Sequence, residues 1–279
     1  MDIIDISDKE FWQLVSYIKD SYGINLSQKK TLIVGRLQNY LQRSEFSSFT
    51  EFFDHVIHDK SGDSVTLLLN KLTTNYTYFY REAEHYEFFK NTVLPYIISS
   101  DPNRDMRIWS AGCSSGEEVY TIAMSIDDYF RANGAGGAHG KGAWDTKILA
   151  TDISERALAI ASGGVYMTES LEALKPEWRS AYFEKVDGEN SRVIDRLRGE
   201  IIFRKFNLME RALPFKKKFH NIWCRNVMIY FDAQTKNELV DRFYNATEQG
   251  GYLFIGHSES ISRGDTRYSF VRPAIYRKD

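Results

Sequence analysis

Apolar residues recur at three- and four-residue steps through the front quarter of the chain, and that spacing predicts helices. Phe11, Leu14, Val15 and Ile18 form one stripe. Ser7 and Glu10 ahead of it have the spacing of a capping box, and Tyr22-Gly23 closes it. Leu32, Ile33, Leu37, Tyr40 and Leu41 form the apolar side of a second helix over 28–43, with Ser27 as its expected cap. A third helix is expected over 48–58.

Past residue 100 the pattern changes. A short apolar run at 106–109 suits a buried strand, 110–116 contains only small residues, and from Glu117 the residues Val119, Ile122, Ala123, Ile126 and Phe130 return to helical spacing. Strand, small-residue turn and helix make the first unit of a nucleotide-type α/β fold. A second strand is expected at 146–150, ending at Thr151-Asp152, with a helix capped by Ser154 and closed by Gly163-Gly164. Residues 165–200 interrupt the alternation, and 183–186 with 192–194 read as a hairpin turning at Asp187-Gly188. Strands follow at 201–205, 219–224 and 252–256, with a helix at 233–246 between the last two. An antiparallel pair over 268–271 and 274–277 ends the chain. The expected fold is α/β: a Rossmann-like, mostly parallel sheet with a small antiparallel hairpin insert, behind an all-α front domain. The boundaries read as 1–72 for the helices, 73–88 for a linker and 89–279 for the sheet domain.

With 279 residues and a net charge of −2, the chain is neither a general nucleic-acid binder nor short of core-forming residues. Two cysteines, Cys113 and Cys224, suggest neither a disulfide framework nor a thiolate zinc site. His55 and His58 are three apart on a helix without converging ligands, so no metal is expected. His139 lies in a glycine-rich loop after the central helix and reads as solvent-facing. No apolar run reaches membrane-spanning length and the acidic N-terminus has no signal-peptide h-region, so a cytoplasmic location is expected.

Charge at the small-residue turn narrows the ligand. A phosphate loop would carry a lysine where this chain has Glu117-Glu118. Two carboxylates repel phosphate and attract an ammonium or sulfonium, so S-adenosylmethionine (SAM) fits better than ATP or NAD; the same acids also suit a helix N-terminus. Asp152, at the carboxyl end of the second strand, is where an adenosine ribose is gripped in such folds. The run 71–82 mixes Thr73, Thr74, Asn75 and Thr77 with Tyr76, Tyr78, Phe79 and Tyr80, a composition that serves a small-ligand wall or a packed hinge. On the second helix Lys29, Arg36 and Arg43 recur every seven residues with Lys30 beside them, either a docking stripe or an ordinary solvated face.

From about Asp8 to Lys278 the chain resembles the chemotaxis receptor methyltransferase (CheR) family. TTNYTYFYRE (73–82), IWSAGCSSGEEVY (108–120), ATDIS (150–154), FNL (206–208), CRNVMIYF (224–231) and GYLFIGHSE (251–259) carry the likeness. The resemblance implies a SAM-dependent protein-glutamate O-methyltransferase that leaves S-adenosylhomocysteine. It places the SAM pocket on Asn75, Thr77, Arg81, Glu118, Asp152, Asn207, Leu208, Arg225 and Asn226. Arg81 and Tyr230 are then expected beside the transferred methyl and the incoming glutamate. The implied partner is the cytoplasmic helical bundle of a chemoreceptor, which favours the docking reading of Lys29, Lys30, Arg36 and Arg43. Some members anchor to a receptor tail peptide through a glycine-rich loop in the hairpin; here VDGENSRVI is short with one glycine, and independence of such a tail is expected. A SAM sensor without transfer, or a methyltransferase with another acceptor, are the alternatives.

Overall fold

The computed structural model describes residues 6–72, 76–134, 143–262 and 264–279. They form two compact units. The first comprises residues up to Tyr76 together with Asn207–Met209 and Tyr230–Lys236, and the second holds the remainder.

The first unit contains α1 (Asp8–Tyr22), α2 (Lys30–Leu41), α3 (Phe49–His58) and α4 (Asp63–Leu72). The capping box forms as the sequence predicts: Ser7 Oγ accepts from Glu10 N while the Glu10 carboxylate accepts from Ser7 N, and Gly23 closes α1 in the left-handed conformation. Ser48 caps α3 by accepting from Glu51 N. The α2 expectation needs correction. Ser27 turns its hydroxyl and N–H to Asn25 Oδ1, so it caps nothing, and the helix starts two residues later and ends at Leu41. An Asx turn outcompeted the cap. Ile33, Leu37 and Leu41 of α2 are buried with Phe11 and Ile18 of α1, Phe52 and Val56 of α3, and Leu68 and Leu72 of α4.

The second unit opens with α5 (Ala83–Phe88), a π-helical turn (Phe89–Val93) and α6 (Leu94–Ser100). Then come β1 (Ile108–Ala111), α7 (Glu117–Asn133), β2 (Ile148–Asp152) and α8 (Glu155–Gly163). An insert follows: β3 (Val165–Met167), α9 (Pro176–Tyr182), β4 (Phe183–Lys185), β5 (Asn190–Val193) and α10 (Asp195–Arg198). The chain returns through β6 (Ile201–Lys205), β7 (Phe219–Cys224), α11 (Ala233–Ala246), β8 (Thr247–Ile255), β9 (Ser269–Arg272) and β10 (Ile275–Arg277).

Seven strands form one sheet in the order β6-β2-β1-β7-β8-β10-β9, parallel from β6 through β8, with β10 antiparallel to β8 and to β9. The insert is a separate antiparallel sheet, β3-β5-β4. Thus the expected hairpin has a third strand, Val165–Met167, too short to leave a pattern of its own. The first two strands also run two residues later than 106–109 and 146–150, because β1 and β2 pair in register up to Ala111↔Thr151. Strand order reverses between β1 and β7, so the segments leaving the carboxyl ends of these strands flank a switch point, the place where such sheets bind ligands.

Candidate ligand site at the strand ends

The turn after β1 uses its small residues for three left-handed positions: Gly112 (φ 104°), Ser114 (φ 49°) and Gly116 (φ 100°). A Cβ on Gly112 would lie 2.5 Å from Val227 Cγ2, and one on Gly116 would lie 2.9 Å from Ala161 Cβ, so neither position accepts a side chain without displacement. Gly112 N and Cys113 N both donate to Thr151 O, and Ser114 N donates to Asp152 Oδ2 over 2.8 Å. Asp152 Oδ1 accepts from Ser154 N. The predicted ribose-gripping acid therefore also ties the turn to the end of β2.

Glu117 and Glu118 open α7, and the structure separates their roles. Glu117 accepts from Ser115 Oγ within the turn. Glu118 points toward the sheet, where Oε1 accepts from Ser110 Oγ (2.8 Å) and Oε2 from Arg225 Nη1 (3.1 Å). Burial pushes the carboxyls of Glu117, Glu118 and Asp152 above their ordinary range; for Glu118 it outweighs the opposing pull of Arg225.

Arg225 follows β7 and is 6% exposed. Its guanidinium donates to Glu82 Oε2, Tyr86 Oη, Glu118 Oε2 and the Arg81 carbonyl, and its face lies over the Tyr86 and Trp223 rings. Nε, Nη1 and Nη2 are all engaged, so the guanidinium braces its neighbours. It braces the segment leading into α5, where Tyr80 (φ 61°) and Glu82 (φ 59°) hold left-handed conformations. Beneath that segment Tyr80, Tyr86, Trp223 and Phe254 stack successively, with centroids 5.4, 5.1 and 4.3 Å apart. Arg81 is half-buried, its guanidinium 5.9 Å from the centre of the Tyr78 ring. Burial opposes the charge on Glu82, but Arg225 holds its carboxyl below the ordinary range.

Asn226 sits at φ 59°. Its N–H donates to Glu259 Oε2, which also accepts from Gly256 N, while Ile229 N donates to Glu259 Oε1. Asn226 therefore belongs to a backbone loop pinned by a buried carboxylate.

Of the other residues singled out, Thr77 is half-buried in the same unit and Asn75 lies outside the described residues. Asn207, Leu208 and Tyr230 count with the helical unit. There Asn207 Nδ2 donates to Ser21 O, Leu208 is buried, and the Tyr230 carbonyl accepts from Asn25 N. On α2, Lys29 and Arg43 are exposed beyond the helix ends, whereas Lys30 pairs with Asp8 (2.6 Å) and Arg36 donates to Lys71 O.

Sequence reasoning passed over Glu82, Tyr86, Ser110 and Glu259. Glu82 and Glu259 end the quoted runs at 73–82 and 251–259, yet nothing local distinguishes an acid that binds a ligand from one that holds a backbone. The arrangement as a whole is rich in buried acids. Glu82 and Glu118 share the buried Arg225 guanidinium, while Glu117, Asp152 and Glu259 have only hydroxyl or backbone N–H donors, a set that suits a cationic ligand and repels phosphate.

Comparison with known proteins agrees with this chemistry. The CheR methyltransferase all-alpha domain matches residues 9–73, and the CheR methyltransferase SAM binding domain matches residues 75–276. A chemotaxis protein methyltransferase of Borreliella burgdorferi is 39% identical over 99% of this chain and 96% of its own length. A probable chemotaxis protein methyltransferase of Rhizobium etli is 37% identical over 89% of this chain and 91% of its own. For the chemotaxis protein methyltransferase of Escherichia coli the values are 32%, 97% and 90%.

Proposed function

The chain belongs to the CheR family of chemotaxis methyltransferases, and from that premise we propose how its own residues carry the reaction. It is a SAM-dependent protein-glutamate methyltransferase acting on chemoreceptors. The observation that carries the residue-level reading is the excess of buried carboxylate at the strand ends. Glu118 receives the ammonium end of SAM and Asp152 the ribose, with Thr77, Asn226, Asn207, Leu208 and Asn75 completing the binding set. Arg225 serves by holding Glu118, Glu82 and the Arg81 carbonyl in place.

SAM supplies an activated methyl group on a sulfonium. The acceptor glutamate is already ionised at neutral pH, its ordinary pKa being about 4.3, so no general base is required. Arg81 steers that carboxylate, and the Tyr230 phenol donates a hydrogen bond that sets its angle of attack. Neither binds the attacking oxygen tightly, since a tight pair would quench its nucleophilicity. One carboxylate oxygen gains the methyl, and the product is a neutral ester. Loss of that negative charge weakens repulsion between receptor helices and shifts their signalling equilibrium.

The receptor surface meets Lys29 and Arg43 at the ends of α2, with Arg36 and Lys30 contributing less because neighbours already engage them. The β4–β5 turn is closed on itself, Asp187 Oδ1 accepting from Glu189 N and Asn190 N, and methylation does not depend on a receptor tail peptide. No described helix is long and apolar enough to cross a membrane, and a cytoplasmic location fits an enzyme whose substrate is the cytoplasmic bundle of a receptor.

Transfer of labelled methyl from SAM to a cytoplasmic receptor fragment tests the reading. Mild base should release the label as methanol. Base-stable label would move the acceptor away from glutamate, and SAM binding without transfer would favour a sensor. Equal rates on tailed and tail-less receptors are expected; a clear gain with the tail would sink the claim of independence.

A further inference from the structure

Beside the Arg225 brace, Glu82, His85 and His257 bring one ligand atom each to within 4.8 Å of one another. His85 is 1% exposed, and neither of its ring nitrogens has a hydrogen-bond partner among the described residues. Leaving such a group unsatisfied costs stability, so an unpartnered buried imidazole calls for an explanation. Its Nδ1 lies 3.4 Å from Glu82 Oε2, and its ring meets the exposed His257 ring edge-on with centroids 4.6 Å apart. Burial, and after it Arg225, lower the His85 pKa to about 3, so the ring is neutral at physiological pH with a lone pair to give.

Two imidazoles and one carboxylate suit zinc and its neighbours. Calcium and magnesium take oxygen ligands instead. Tetrahedral zinc would hold these donors about 3.4 Å apart, as its bond lengths of about 2.1 Å dictate. Rotation of the exposed His257 ring is the movement needed to close the set. We propose that Glu82, His85 and His257 form a three-ligand site for a divalent transition ion of the zinc type, with a fourth position open to solvent, and that filling it inhibits methyl transfer. Inhibition follows from shared use of one atom: Glu82 Oε2 accepts from Arg225 Nη2 over 3.0 Å and would have to serve the ion instead. The ion weakens the brace behind Arg81 and adds positive charge near the carboxylates assigned to a cationic ligand. The inhibitory half rests on the roles given above to Arg225 and Arg81; ion binding does not.

The full chain is titrated with Co2+, followed by visible absorption, and with Zn2+, followed by calorimetry. Wild type should bind one ion, with the intense cobalt bands of a four-coordinate centre. His257→Ala keeps the backbone N–H to Glu82 and should fold and methylate normally without metal. It should weaken binding by about ten-fold or more, and raise in parallel the Zn2+ concentration that halves activity. Chelation should restore the wild-type rate. Absent cobalt bands, or equal affinity in the two proteins, would overturn the site. Zn2+ inhibition unchanged in His257→Ala would place it elsewhere, with the Cys113 or Cys224 thiols as the next suspects. Binding without inhibition would overturn the regulatory half.

Discussion

The carboxylates of the helical unit and those at the strand ends of the sheet are treated in opposite ways. In the helices Asp8 is held below its ordinary range by Lys30, Glu51 by the N–H and hydroxyl of Ser47, and Asp59 by Ser61 and Ser64. Asp232, in the same unit, is drawn down to about 2 by Lys19 and by Thr235. These acids are locally answered by donors, and their charge shapes helix ends and turns. At the strand ends Glu117, Glu118, Asp152 and Glu259 are pushed up by burial, and of the four only Glu118 is paired with a guanidinium. Acids whose charge is costly in the ligand-free protein are those that a cationic ligand repays. The same residue type thus keeps its charge easily in one region and against the cost of burial in the other.

Removing the buried Arg225 guanidinium tests the contrast most severely. Arg225→Met strands Glu82 and Glu118 without their partner, and breaking a buried pair in this way costs about 3 kcal/mol or more. SAM binding should be lost with it. Lys19→Met, which breaks the exposed pair to Asp232, should leave the denaturation midpoint almost unmoved. Comparable losses in the two variants would mean that burial does not set the difference. Arg81→Ala should come next, lowering turnover by about 100-fold while SAM affinity stays within a few-fold, because positioning of the acceptor is what is lost. Tyr230→Phe removes one hydrogen bond and should cost about ten-fold. If either variant lost SAM affinity in step with turnover, its assignment to the acceptor would be wrong.

Acid separates the regions by sign. Glu118 and Asp152 have raised pKa values in the folded protein, so the stability linked to their protonation is fully present below the ordinary carboxylate range and is lost as pH rises through the raised values. Asp232 does the reverse: its contribution is present above the ordinary value and is lost as pH falls toward about 2. On acidification from neutrality the strand-end acids should therefore protonate first. SAM affinity should fall by up to about ten-fold per pH unit for each proton taken up, before the helical unit loses its ion pairs. Calorimetric titration with SAM across that range, beside circular dichroism, reads both. A flat affinity profile would show that SAM is held by something other than the ionised Glu118 and Asp152.

The sequence made these regions unequally legible. The capping box at Ser7, the β1 turn and the cap at Ser154 are local devices whose chemistry lies within a few residues, and each forms as its spacing predicts. Ser27 misled because Asn25, two residues away, offered its hydroxyl a better acceptor than the helix did a donor. The brace was invisible for a different reason. Arg225 reaches Glu82, Glu118 and Tyr86 from distant parts of the chain, and no periodicity records that Glu82 faces inward. The resemblance named Arg225 as a ligand residue; only the packing shows its nitrogens already engaged.

The smallest expected effect concerns the exposed positive charges of α2, where the contrast between buried and surface charge should vanish from stability and reappear in partner recognition. Lys29 and Arg43 are exposed, so reversing both to Glu should leave folding and SAM binding intact while lowering kcat/KM for receptor a few-fold, about 1 kcal/mol or less. The loss should shrink as salt is raised, since added ions screen wild-type attraction and mutant repulsion alike. Arg36→Glu should differ in kind: its side chain donates to the Lys71 carbonyl at the end of α4, so reversal removes a structural contact and the unfolding midpoint should move too. If reversal at Lys29 and Arg43 changed nothing at low salt, the stripe would be a solvated face, and recognition of the acidic receptor would have to lie on another surface.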